Sequence, residues 1–291
     1  MVGYGPRMAG RIVVGTGGWS AEEWYPDGLP ARDRLARHAE RFAGVEVDST
    51  FYALPARRTV ERWAAITPPG FTFDVKLHRL LSRHAAPLSS LPTDLREQAE
   101  VNQRGRVTLT AELEDAVCRR TLETVAPLQE AGKLSAFLLQ LTPAFEPDSH
   151  SLDELDSVVQ ALAPVPVAIE LRHRAWLNDA DEVTGWFRNA GAAFVCVDAP
   201  ATDAPVVLPP YDAVTRSDLA YLRAHGRDAE AYLKGRTAGE RFTYEYSAEE
   251  LAELADRARR LAGEAETVRF MFANGGHALE AARRTREILD A

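Results

Sequence analysis

The feature that most constrains this chain is an alternation. Eight short apolar runs recur along its 291 residues, each separated from the next by a segment of helical or loop character. The runs are Arg11–Val14, Val45–Asp48, Phe71–Lys76, Ser135–Gln140, Val167–Leu171, Ala193–Val197, Leu219–Arg223 and Val268–Phe272. Several are rich in β-branched or aromatic residues, as strands covered on both faces tend to be. Helical patterns fill most gaps: Asp33–Phe42, Thr59–Ile66, Leu113–Glu130, a helix opened by Ser151, Asp179–Ala190, a helix from Ser247 to Leu261, and Ala278–Leu289. Ser151 and Ser247 each stand three residues before a glutamate, Glu154 and Glu250, the spacing of a reciprocal N-terminal cap. Strand followed by helix, eight times, predicts an α/β fold of the (β/α)8 TIM-barrel type. A doubly wound sheet would need fewer strands and a visible break between halves. No repeat, low-complexity linker or break is present, so residues 1–291 read as a single domain. Residues 1–10 are expected to be a poorly ordered extension, with Met8 as an alternative start. The Pro- and Ala-rich segment Pro200–Pro210 reads as a long loop over the barrel mouth.

Charge and cysteine content narrow the partners. The formal net charge is −9. That argues against extended duplex nucleic acid and anionic membrane, which call for a broad basic surface. The two cysteines, Cys118 and Cys196, are too few for a disulfide framework and are expected to be buried free thiols. The first residues lack the apolar segment of a signal peptide, and no apolar run approaches membrane-spanning length. These features together predict a cytoplasmic protein.

In a barrel the chemistry sits where strands end. Polar groups occupy nearly every strand end here: Glu46 and Ser49, Lys76, Gln140, Glu170 and Arg172, Asp198, Arg223 and His225, and Asn274. Unpaired charges inside apolar strands are costly, so these side chains must face partners or a wet cavity. Glu46 with Arg172, or Asp198 with Arg223, would serve as plain ion pairs, but the recurrence around the ring favours a pocket. The leading expectation is a metal-independent enzyme without a cofactor, doing acid/base chemistry on a small anionic ligand. Lys76, Arg172 and Arg223 would hold a phosphate or carboxylate. Glu46 and Glu170 would be the acid/base pair, with His225 as a further base and Lys76 close to the chemistry. Trp19 and Tyr52 would wall the pocket, and Ser49, Gln140, Asp198 and Asn274 would contact substrate. Two alternatives stay open. One is a metal-dependent phosphodiesterase, nuclease or sugar isomerase, with Glu46, Glu170, Asp198 and His225 as ligands. The other is a non-catalytic module for a small ligand or a nucleic-acid end. His38 and His150 lie in polar contexts and are expected at the surface.

The stretch VGTGGWS, at Val14–Ser20, has two glycines of a dinucleotide fingerprint, but serine stands where the third belongs. It is better read as the turn after the first strand, letting the chain bend so that Trp19 reaches the mouth.

The succession GTGGWS, VEVDSTFYALP, RWAAITPPGFTFDVK, GKLSAFLLQLTPAF, AIELRHRAW and YLRAHGR closely resembles the DUF72, or YecE-like, family. The resemblance covers most of the chain and implies a TIM-type barrel, while leaving the reaction open. The family's polar positions match here at Glu46, Ser49, Tyr52, Lys76, Gln140, Glu170, Arg172, Asp198, Arg223 and His225. Two loops depart from the family pattern. After Lys76 the run is Leu77-His78-Arg79-Leu80-Leu81-Ser82-Arg83-His84, with the expected histidine displaced by one place. After Phe272 the chain reads Ala273-Asn274-Gly275-Gly276-His277, with one asparagine missing.

Overall fold

In the computed structural model, which describes residues 9–291, the eight expected strands all form. They are β1 (Arg11–Thr16), β2 (Gly44–Val47), β3 (Thr72–Lys76), β4 (Leu134–Gln140), β5 (Val167–Glu170), β6 (Ala193–Asp198), β7 (Leu219–Ala224) and β8 (Thr267–Phe272). All pair in parallel in the order β1-β8-β7-β6-β5-β4-β3-β2. The circle closes at the Gly17–Glu46 bridge, where the Gly18 N–H also donates to the Glu46 carbonyl at 3.0 Å. The result is a single-domain, nearly closed (β/α)8 barrel with helices packed outside it. The expected extension lies mostly outside the described residues, as does Met8. Within it, Gly10 is tied to the domain by its N–H, which donates to the Ala262 carbonyl at 2.7 Å.

The helices form because one stripe of each is apolar. Helix Ala248–Ala262 buries Leu251, Leu254, Ala255, Ala258, Leu261 and Ala262, spaced three and four apart as a helix facing a barrel must be. Ser247 and Glu250 cap it reciprocally, and Ser151 and Glu154 do the same for the turn that opens Asp156–Leu162. Helices Arg34–Ala39, Arg57–Ile66, Ala111–Glu130, Ala180–Ala190 and Ala278–Asp290 also lie where the sequence pattern puts them. Two short helices after β7, Ala229–Lys234 and Ala238–Phe242, have no counterpart in that pattern. Each is too short to show a period.

Both cysteines are buried free thiols as expected, and burial pushes each up to about 12. His38 is a correction. It is fully buried between Phe42 and Phe71, because it occupies the inner stripe of its helix. Among the described residues no helix is long and apolar enough to cross a membrane.

The first glycines turn out to serve close approach. β1 runs through Thr16 instead of stopping at Val14. A Cβ on Gly15 would sit 2.4 Å from the Gly44 carbonyl oxygen, and one on Gly17 would sit 2.8 Å from Asp48 Oδ2. Only Gly18, with φ of 87°, makes a turn that disfavours other residues.

Candidate functional site

Side chains alternate across a strand, and register carries each face to the neighbouring strand. On β7 the inward positions are Tyr221 and Arg223. Their partners in register are Val195 and Val197 on β6, and Arg269 and Met271 on β8. The same face runs through Gly15 and Gly17, Glu46 and Asp48, Asp74 and Lys76, Ala136 and Gln140, and Ala168 and Glu170. TIM barrels usually fill this space with layers of branched aliphatics. Here large polar side chains from β7 and β8 reach across the axis, opposite small residues.

They form a continuous column of charge. Low in the barrel, Arg269 donates through Nε to Asp74 Oδ2 at 2.8 Å and through Nη1 to Thr72 Oγ1 at 2.7 Å. The Tyr221 hydroxyl lies 3.0 Å from Asp74 Oδ2 and 2.8 Å from Glu46 Oε1. Arg223 then grips Glu46 with both ends of its fork, Nε to Oε1 at 2.9 Å and Nη2 to Oε2 at 2.8 Å. Its remaining Nη1 donates to Glu170 Oε2 at 2.5 Å. Burial raises the Glu46 pKa against the pull of Arg223, with Asp48 adding to the rise. Neither ion pair suggested by the sequence forms: Glu46 takes Arg223, not Arg172, because alternation aims both into the axis, and Asp198 takes Arg227 and Arg257.

Above this column the carboxylate of Glu170 is surrounded by donors. Gln140 Nε2 donates to its Oε1 at 2.7 Å, His225 Nε2 lies 3.1 Å from the same oxygen, and Arg172 Nε stands 3.8 Å away. Burial alone would raise the Glu170 pKa, but His225 and Arg223 outweigh it and hold the group well below the ordinary value. An ionised carboxylate only accepts, so the 3.1 Å contact with Glu170 favours a hydrogen on His225 Nε2 over the longer 3.4 Å approach of Arg223 Nη1 to the same atom. Burial lowers the His225 pKa, partly offset by Glu170, which favours the neutral imidazole. Its Nδ1 then carries a lone pair, and that atom is buried without a hydrogen-bond partner among the described residues. A carboxylate orienting an imidazole whose other nitrogen is free is the arrangement of a positioned base.

His225 lines a cavity of about 220 Å³ with Gly17, Asp48, Tyr52, Lys76, Gln140, Arg223, Phe242, Ala273, Gly275 and Ala278. That is below the roughly 300–1,000 Å³ of pockets for drug-sized ligands, and suits a small one. Lys76 Nζ lies 3.5 Å from Asp48 Oδ1 and 4.9 Å from the centre of the Phe51 ring. Among the described residues, no three His, Cys, Asp or Glu side chains come together as a metal-ligand set.

Of the residues chosen from sequence, Lys76, Gln140, Arg223, His225 and the exposed Tyr52 line this cavity. Glu170 lies directly beneath them, and Glu46 is one step further down. Arg172 stands beside Glu170, and its Nη2 donates to the Tyr232 hydroxyl at 2.9 Å. Four others are not among the lining residues. Trp19 turns away from the cavity and packs edge-on against Trp63 at 5.3 Å and Phe73 at 6.5 Å, because the apolar layer outside the barrel accepts its ring. Ser49 is exposed. Asp198 follows the inward Val197, so alternation sends it outward, where Arg227, Arg257 and the Tyr246 hydroxyl hold it. It could not join Glu46 and Glu170 in a ligand set. Asn274 likewise follows the inward Ala273, and its Nδ2 donates to the Tyr244 carbonyl at 2.7 Å.

Sequence reasoning left out Gly17, Asp48, Phe242, Ala273, Gly275 and Ala278. Asp48 was within reach, since it shares the parity of Glu46. Phe242 was not, because it comes from the unforeseen helix after β7. The loop Pro200–Pro210 contributes nothing to the lining; Arg174 holds it through the Pro205 carbonyl, which accepts from the Arg174 N–H at 2.9 Å.

Comparison with known proteins accords with this architecture. A family model described as "Protein of unknown function DUF72" matches residues 13–291. The UPF0759 protein YunF of Bacillus subtilis (strain 168) is 25% identical over 291 residues, covering 96% of this chain and 95% of that protein. UPF0759 protein YecE of Escherichia coli (strain K12) is 36% identical over 75 residues, 26% of each chain. Among solved structures, a DUF72 family protein from Thermotoga maritima MSB8 is 26% identical with a TM-score of 0.76, over 97% of this chain and 100% of that one. Another, from Enterococcus faecalis V583, is 26% identical with a TM-score of 0.77, over 97% and 96%.

Proposed function

The chain belongs to the DUF72 family, and from that premise we propose that it is a metal-independent acid/base enzyme acting on a small anionic substrate. His225 is the base: Nδ1 takes a proton from the substrate while Glu170 holds the Nε2–H and stabilises the imidazolium that forms. Lys76 binds the anionic group, exchanging its contact with Asp48 for the ligand, and Arg172 supports it from beside Glu170. Glu46 and Arg223 are positioning residues. Their charges satisfy one another, and Arg223 fixes the second oxygen of Glu170. This revises the expected roles, since Glu46 has no free face for acid/base work.

The observation that carries this reading is the unpartnered, buried Nδ1 of an imidazole held by Glu170, in a cavity that Lys76 also lines. The commitment of Glu46 and Glu170 to arginine supports a metal-independent reaction, because a cation would have to compete with those partners. The test is a thermal-shift screen of sugar phosphates, nucleotides and organic acids. At least one anion class should stabilise the protein, and Lys76→Ala and Arg172→Ala should reduce the shift. With the hit in hand, His225→Gln should retain binding and abolish turnover. If no anion stabilises the protein, or if both alanine variants leave the shift unchanged, the reading fails. Turnover that survives in His225→Gln would remove its base.

A further inference from the structure

The turn that follows β3 carries Arg79 and His84, two groups the acid/base site does not use, next to Lys76 at the strand end. Lys76, Arg79 and His84 all sit on one aromatic ring, that of Phe51. Lys76 Nζ is 4.9 Å from its centre, Arg79 Cζ 5.6 Å, and the His84 ring meets it edge-on at 5.0 Å. Arg79 makes no ion pair among the described residues, and its Nε is buried without a hydrogen-bond partner. His84 Nδ1 is likewise buried without a hydrogen-bond partner among the described residues, and Arg172 Nε, without a hydrogen bond, stands 3.8 Å from Glu170 Oε1. The counter-charge nearby is small. Asp48 faces Lys76, and Glu170 is shared between Arg223 and Arg172.

Three cations with so little to offset them repel one another, and a fold that keeps them together without a ligand bears that cost. These cations and burial act in the same direction on His84. Burial lowers its pKa to about 4, and Lys76, Arg172 and Arg79 each add to the fall, so all three act on this one imidazole. The turn itself is held in an unfavourable shape. Arg83 has a φ of 61°, a left-handed conformation that non-glycine residues rarely adopt. Its guanidinium is anchored by Glu114 Oε2 at 2.5 Å and by the Leu81 and Glu154 carbonyls at 3.1 and 2.6 Å. The His84 N–H closes the turn on the Arg79 carbonyl at 2.9 Å. Arg79 and His84 are thus presented by a fixed turn, not by a free loop.

We propose that Arg79, His84, Arg172 and Lys76 form a phosphate subsite beside the His225 cavity, and that the substrate is a phosphate monoester. The inference rests on the anion-binding reading above and narrows it. A carboxylate would leave part of the positive excess uncompensated. A phosphate monoester carries close to two negative charges near neutral pH and has three acceptor oxygens for the unpartnered donors. The non-phosphorylated part would extend toward His225, with the exposed Tyr52, edge-on to Phe51 at 5.1 Å, as its outer wall.

The probe is inorganic phosphate, titrated by calorimetry into the full chain at low salt, with acetate as the monoanionic comparison. Phosphate should bind at least about tenfold more tightly than acetate. Arg79→Met keeps the side-chain stem on Phe51 and should weaken phosphate about tenfold or more, as expected for losing a charge-assisted contact. His84→Gln should weaken it a few-fold. Without phosphate, Arg79→Met should melt no lower than the native protein, since it relieves repulsion. If Lys76→Ala abolishes phosphate binding while Arg79→Met and His84→Gln stay within twofold of native, the subsite is overturned and the anion-binding reading stands. If acetate and phosphate bind equally, the monoester assignment is overturned. If neither binds, both fall.

Discussion

Arg223→Met is the most informative single change to the barrel interior. Arg223 is almost completely buried and, among the described residues, makes every ion-pair contact that Glu46 has with a cation. Methionine matches the stem in size but leaves two carboxylates without their shared counter-ion. They do not lose equally. Glu170 keeps Gln140, His225 and Arg172, whereas Glu46, among the described residues, keeps only the Tyr221 hydroxyl. Removing one partner of a buried pair costs roughly 3–5 kcal/mol. At roughly 2–4 °C of melting temperature per kcal/mol, that is a fall of about 6–20 °C. The cost belongs to the stranded charge, so Glu46→Gln in the same chain should recover more than about 1 kcal/mol of it. The pH dependence has a definite sign. Burial raises the Glu46 pKa, and without Arg223 its main opposing influence is gone. A carboxylate with a raised folded-state pKa takes up a proton more readily when folded, so the deficit should be small below pH 4.5 and grow as pH rises above it. Urea unfolding of the native, single and double variants at pH 5 and pH 8 measures all three. A loss under 1 kcal/mol, or a double variant no more stable than Arg223→Met, would refute the claim that this pairing holds the barrel together.

Three further outcomes are expected. Burial lowers the His38 pKa from 6.5 to about 4, so the folded state resists a proton that the unfolded chain accepts. Stability should therefore fall as pH drops from 6.5 toward 4, and His38→Leu should flatten that slope by up to about 3 kcal/mol, taking about 1.4 kcal/mol per pKa unit. For His225, nuclear magnetic resonance titration should show a neutral ring at pH 7, and Glu170→Gln should lower its pKa further by removing the carboxylate that supports the charged form; an unchanged or raised value would contradict the Glu170–His225 pairing. Gly15→Ala places a methyl 2.4 Å from the Gly44 carbonyl oxygen and should cost on the order of 1–3 kcal/mol in denaturant unfolding, as overpacking does; an unaffected midpoint would show that β1 and β2 can separate there freely.

Much of the architecture was legible without coordinates. Strands and helices announce themselves through periods of two and about 3.6 residues, and caps such as Ser247 with Glu250 act over three residues. These signals are local, and eight alternations leave few folds to choose from. The mouth of the barrel followed, because parallel strands all end on one side, and Lys76, Gln140, Glu170 and His225 were found as residues near those ends. What failed was orientation and partnership. Asp198 and Asn274 sit at strand ends too, but one step out of phase with Val197 and Ala273. Trp19 was placed at the mouth because it follows β1, whereas the Trp63 and Phe73 rings that capture it come from other elements. Phe242 arrived on a helix too short to show a period.

The sequence by itself determined the set of strands, their parallel order of entry and the end of the barrel where polar groups collect, since each of these depends on neighbours a few residues apart. Only the tertiary structure decided that Arg223 crosses the axis to Glu46, 177 residues away, and that Glu170 holds His225 across 55. It also brought Arg79 and His84 to the Phe51 ring beside Lys76. No local pattern encodes such pairs. They are selected when the barrel closes, because a charge carried into that interior must meet an opposite charge there or a ligand that brings one.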